Sequence, residues 1–90
     1  MENLIIAVGL LAATLTSLSY IPQVRKALPL GSTHDLSIKT LGVLAGGLGL
    51  WIVYGLMKGD FVIVIANGIG FSLSATLVAL KVRDLRSGVG

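Results

Sequence analysis

Cysteine is absent from this 90-residue chain, which excludes a disulfide framework, a thiolate nucleophile and any cysteine-based metal site, and leaves the redox compartment open. Charge is scarce as well. Asp, Glu, Lys and Arg make up 12% of the residues against 54% hydrophobic ones, a balance that belongs to lipid-embedded protein and not to a soluble core. Within the three long apolar stretches, roughly 4–24, 36–57 and 61–80, no segment centre holds Asp, Glu, Lys, Arg or His. Proton- and sodium-coupled carriers place ionisable groups or unwound helices at membrane depth, so this scarcity argues against ion coupling. Neither a nucleophile paired with a base nor a cluster of metal ligands is present, and the connectors are too short for an enzyme. No cofactor and no metal are expected.

What remains is membrane. A spanning helix needs about 20 predominantly apolar residues to cross a core about 30 Å thick, and each of the three stretches meets that length. Residues 1–90 therefore read as a single three-helix transmembrane domain, an all-α membrane protein. Between the spans lie a polar connector, 25–35, with Pro29 and the turn-forming pair Gly31-Ser32, and a tight turn at Lys58-Gly59-Asp60. The first stretch is expected to be retained and not cleaved as a signal peptide, because the only charge before it is Glu2 and not a basic cluster. His34 is expected to be solvated in the connector, Asp35 to cap the second helix, and the tail 85–90 to lack order.

Basic residues are distributed unevenly. Arg25, Lys26, Lys39, Lys81, Arg83 and Arg86 fall on one side of the membrane and Lys58 alone on the other, so the C-terminus is expected in the cytoplasm and the N-terminus outside. The net charge of +3 then reflects topology. These residues sit at membrane edges without interleaved aromatics, and no nucleic acid is expected as a partner.

On a helical wheel, residues three and four apart share a face. Thr16, Ser19, Tyr20 and Gln23 form a polar strip on the first span, and Gly47, Trp51, Tyr54 and Lys58 form a stripe on the second. Asn67, Gly70, Phe71 and Ser74 align on the third. A separate stripe of Gly42, Gly46 and Gly49 has the small-residue spacing with which helices pack in lipid. Pro22 is a built-in bend, since it removes a backbone donor and frees a carbonyl that lipid cannot satisfy; Thr16, Ser17 and Ser19 are expected to help. Asn67 can hold the bundle by an interhelical hydrogen bond, or it can face a polar cavity with two donors and one acceptor. Trp51 can anchor at the interface or line the same cavity. An indole face and an amide together suit a sugar, whose C–H faces stack on rings while its hydroxyls need donors and acceptors. Polar strips on all three helices cannot face lipid, so a self-complementary partner is expected, and the shared charge bias makes the pair parallel.

Tyr20-Ile21-Pro22-Gln23, Leu50-Trp51-Ile52-Val53-Tyr54-Gly55 and Ala66-Asn67, within three-helix spacing, carry a family resemblance. The chain resembles a SemiSWEET, the bacterial half-size relative of the SWEET sugar transporters in the PQ-loop superfamily, over nearly its whole length. That resemblance implies a parallel two-fold homodimer in the bacterial inner membrane. It implies a mono- or disaccharide of the glucose or sucrose class held between the protomers by Trp51 and Asn67 from each. It further implies passive uniport by alternating access, with Pro22 and Gln23 as hinge, Tyr54, Lys58 and Asp60 as outer gate, and Tyr20 as inner gate. Lys58 departs from the Arg often found there and lacks its planar fork. The rival readings are a PQ-loop carrier of another small solute such as an amino acid, and a non-transporting membrane protein whose glycine stripe binds a partner helix.

Overall fold

A computed structural model describes residues 2–89. It contains three helices, α1 (Glu2–Ala27), α2 (Ile38–Lys58) and α3 (Phe61–Arg86), each long and apolar enough to cross a membrane. The chain is thus an all-α, three-helix membrane protein. The last helix in sequence is the middle one in space: α3 packs along both neighbours, while α1 and α2 do not pack backbone against backbone. The overall extents are 51 × 23 × 13 Å, and the shortest is close to the about 10–12 Å diameter of one helix. The three helices therefore lie in a single layer.

Local chemistry explains where each helix ends, and in places corrects the sequence expectation. The α2 N-cap is Ser37 and not Asp35: the Ser37 side chain accepts from the Thr40 amide at 3.3 Å. Asp35 lies two residues too early to reach the first-turn amides, and stands instead 3.9 Å from Lys26 at the surface. Between α2 and α3, Gly59 adopts the left-handed conformation (φ 68°, ψ 27°) that only glycine enters at no steric cost. The amides of Gly59 and Asp60 then bond the Leu56 and Gly55 carbonyls, a Schellman closure, and α3 starts at the next residue.

Helix α1 runs unbroken through Pro22, which leaves the Leu18 carbonyl without its usual amide. The expected help does not arrive: Ser19 donates to the Thr16 carbonyl at 2.6 Å and Thr14 to that of Leu10 at 2.8 Å, and among the described residues no side chain bonds Leu18. A helical hydroxyl bonds back to the carbonyl three or four residues before it. Only positions 21 and 22 could reach Leu18, and they are Ile and Pro.

Helix α3 continues to Arg86, beyond the predicted limit near residue 80, because its last charges turn inward onto the connector. The buried Asp84 carboxylate accepts from the Thr33 amide at 3.2 Å and hydroxyl at 2.6 Å, and Lys81 donates to the Thr33 carbonyl at 2.8 Å. Arg83 pairs with Asp84 at 2.8 Å and donates to the carbonyls of Ala27, Leu28 and Pro29 at 3.2, 2.6 and 3.0 Å. The carbonyls stranded at the end of α1 are thereby capped from another helix. The tail, expected to lack order, follows: the Val89 amide bonds the Asp84 carbonyl at 2.9 Å and Val89 lies over Gly31. Gly90 is outside the described residues.

Apolar burial is concentrated beside this clasp, where Ala27, Leu41 and Leu77 are buried and Tyr20, Val24, Leu36, Val78 and Leu80 pack against them. Most other large apolar side chains of α1 and α2 are exposed, as a lipid-facing surface requires. The close helix approaches are not at the Gly42 and Gly46 stripe, around which nothing lies within 4 Å. They are at Gly9, where an added Cβ would meet Val62 at 2.8 Å, and at Gly55, where it would meet Ile63 at 2.8 Å. Gly55→Ala is therefore expected to destabilise the fold by about 1–2 kcal/mol through overpacking against β-branched neighbours. Gly46→Ala, at an open helical position, should be neutral or stabilising by up to about 1 kcal/mol. Denaturation midpoints of the two variants in detergent check the contrast.

Candidate functional site

Helical spacing alone puts Gly47, Trp51 and Tyr54 on one face of α2, and with Leu50 they line an open cavity of about 440 Å³. This lies within the about 300–1,000 Å³ typical of small-molecule sites. Gly47 has no neighbour within 4 Å, so the missing side chain contributes directly to the hollow. Trp51 and Tyr54 meet edge to face, ring centroids 5.3 Å apart and planes at 87°. This favourable aromatic geometry holds the two rings together. Trp51 and Tyr54 remain about half exposed, at 53% and 46%. No charged group lines the cavity.

Asn67 stands on the adjacent helix, half-buried, and is not part of that lining. Its Nδ2 donates to the Ile63 carbonyl of its own helix at 2.9 Å, so the amide does not bridge helices within the chain. That bond fixes the amide plane and leaves the Oδ1 acceptor and one N–H available. Ser74, aligned with Asn67, is fully buried and its hydroxyl has no hydrogen-bond partner.

The other sequence-predicted residues fall at the two ends. Lys58, exposed, is the last residue of α2, and Asp60 caps α3 by accepting at Oδ1 from the Val62 and Ile63 amides at 3.1 and 3.3 Å. No ion pair joins Lys58 to Asp60 within the described chain. At the connector end, Tyr20 is partly buried against the Ala27, Leu41 and Leu77 cluster. Gln23 lines a small concavity of about 220 Å³ with Lys26, Ala27, Ser32, Asp35 and Leu36. Among the described residues, no three side chains of His, Asp or Glu converge as they would around a metal ion. Sequence reasoning missed Thr33 and Asp84; the available signal was a lone acid among Lys81, Arg83 and Arg86, sharing a face with Lys81 three residues earlier.

The PQ loop repeat family matches residues 4–64. The sugar transporter SemiSWEET of Bradyrhizobium diazoefficiens is 36% identical over 80 residues, covering 89% of this chain and 93% of its own length. The sugar transporter SemiSWEET of Leptospira biflexa is 40% identical over 67 residues, covering 74% and 75%. The fold superposes on the crystal structure of a SemiSWEET in the inward-open conformation with a TM-score of 0.86, at 30% identity and over 98% of this chain and 94% of that one. The crystal structure of a bacterial homologue of SWEET transporters gives a TM-score of 0.83 at 28% identity, over 90% and 98%.

The capping geometry separates two roles of Asp60. Asp60→Asn keeps an N-cap acceptor and should stay within a few tenths of a kcal/mol of the parent, whereas Asp60→Ala should lose about 1 kcal/mol. Thermal denaturation followed by Trp51 fluorescence measures both. Equal loss in the two variants would show that capping is not what the residue contributes.

Proposed function

This chain belongs to the PQ-loop repeat family alongside the SemiSWEET sugar transporters, and from that premise we propose that it carries a mono- or disaccharide passively down its gradient by alternating access. It is a carrier and not an enzyme. The working unit is a parallel homodimer in a bacterial inner membrane, N-termini outside and C-termini in the cytoplasm. Its two-fold axis brings two copies of the α2 hollow, and two of Asn67, around one central site.

The uncharged aromatic hollow of Gly47, Leu50, Trp51 and Tyr54 is the observation that carries this reading. A sugar is neutral and amphipathic: its C–H face stacks on the exposed Trp51 indole, which packs at right angles on Tyr54. Its hydroxyls meet the free Oδ1 and N–H of Asn67. An amino acid would bring two charged ends into a cavity with no charge to meet them, at a desolvation cost a neutral solute does not incur. Binding of this kind is weak, in the millimolar range or about −4 kcal/mol, which suits a carrier that must release what it binds.

At the outer end, Tyr54, Lys58 and Asp60 close across the dimer. Asp60 keeps Oδ2 free for the partner while Oδ1 stays on the α3 cap. At the inner end Tyr20 is the plug, and α1 bends at Pro22-Gln23, where the ladder already lacks a bond. Counterflow of labelled glucose and sucrose into liposomes tests the reading. The parent protein should carry at least one of the two, and Asn67→Ala and Trp51→Ala should each reduce flux at least about tenfold, about 1.4 kcal/mol. Flux equal to that of the parent in both variants would remove the site. No flux of either sugar in the parent would remove the substrate class.

A further inference from the structure

One enclosed group of side chains among the described residues is polar. Thr33 and Asp84 have 0% and Lys81 5% of their surface exposed, at the connector end, well away from the α2 hollow. Each polar side chain in the cluster has a partner. Both Asp84 oxygens are occupied, Oδ2 by the Thr33 amide and hydroxyl and Oδ1 by Arg83. Lys81 donates to the Thr33 carbonyl, and the remaining Arg83 donors take three successive carbonyls, Ala27 to Pro29. A satisfied buried network of this kind fixes one geometry, because any other register strands a buried charge.

Three pieces of chain are joined there: the last turn of α1, the connector and the end of α3. The Ala27 and Leu77 cluster extends the joined block along α1, with Val24 and Tyr20 packed on it. Pro22 lies in that stretch, and the bond it removes is the one to Leu18. The α1 arm after the bend is therefore anchored to α3 by charge and by packing. Before the bend, α1 approaches α3 closely at Gly9 against Val62, and its large side chains Leu4, Ile5, Val8, Leu11, Leu15 and Leu18 are exposed.

We propose that Arg83, Asp84, Lys81 and Thr33 are positioning residues for the transport cycle: the clasp, with the packing beside it, holds α1 from Tyr20 onward to α3, so that bending at the missing Leu18 bond moves the arm before Tyr20 and Tyr20 keeps its place at the inner mouth. This rests on the sugar-carrier reading above. Loosening the clasp frees Tyr20, and the inner mouth no longer closes.

Because the chain has no cysteine, one introduced at Gly47 is a unique reporter, and the open space there accepts it. Labelling by a membrane-impermeant maleimide from each face of oriented vesicles reads which side of the cavity is open, without reference to any sugar. Thr33→Val keeps shape and backbone amide but removes the hydroxyl; Arg83→Lys keeps charge but lacks the fork that spans three carbonyls. In each variant the ratio of cytoplasmic to external labelling is expected to rise at least threefold. The maximal counterflow rate, measured without the reporter, is expected to fall at least threefold at unchanged half-saturating sugar. A labelling ratio and rate unchanged in folded, membrane-inserted Thr33→Val overturns the proposal, as does a loss of thermal stability alone, and that variant decides if Arg83→Lys does not fold. A parent that carries neither sugar while the labelling ratio still shifts leaves the clasp standing and removes the sugar reading.

Discussion

The constraint on which the rest depends is thickness. Three helices laid side by side, with α3 between two neighbours whose backbones do not approach each other, make a layer 13 Å deep. Such a layer has two broad faces and little interior. The aromatic groups Trp51 and Tyr54 that the sequence places on α2 sit on one of those faces, about half exposed. The α2 hollow with Trp51 and Tyr54 is a half-site in this sense: it is concave and neutral, and it is open. A second layer applied face to face would convert an open hollow into an enclosed one, and in the proposed homodimer a copy of the same chain supplies it.

A thin layer also has little with which to hold itself together. Ala27, Leu41 and Leu77 are a small core, and lipid removes the incentive to bury more, since tails are as apolar as the side chains they surround. The chain fastens its helices by other means. At the turn end the fasteners are steric: Gly55 lets Ile63 and Val64 close in, and the Gly59 and Asp60 closure turns α2 into α3 in two residues. At the connector end the fastener is ionic and hydrogen-bonded, through Arg83, Asp84 and Thr33. The two ends are fastened by different means, and the hollow lies between them.

The sequence was most legible where a single physical period dominates. Three apolar stretches and their two connections follow from length and hydropathy, and the i, i+3, i+4 rule groups Gly47, Trp51 and Tyr54 on the face where they meet. It was least legible where contacts cross between elements. Nothing at positions 33 and 84 by themselves announces a bond spanning fifty-one residues of chain, and without that bond Lys81 to Arg86 look like a charged overhang and not two further helical turns. The same polar character that marks a membrane edge misplaced the order of the tail. Asp35 and Ser37 are both good caps by type, and only the position of the first amides distinguishes them. The glycine stripe at Gly42 and Gly46 shows the limit of a packing motif, for its spacing permits close approach but does not say to what.

One chain, in the proposed homodimer, holds half a pathway. Single-vesicle flux of labelled sugar, combined with fluorophore step-counting on chains tagged through one cysteine added at the C-terminus, tests it directly. Vesicles holding a single copy should be silent and those holding two should carry sugar. Flux from single-copy vesicles, at a rate per chain equal to that of two-copy vesicles, would contradict the claim.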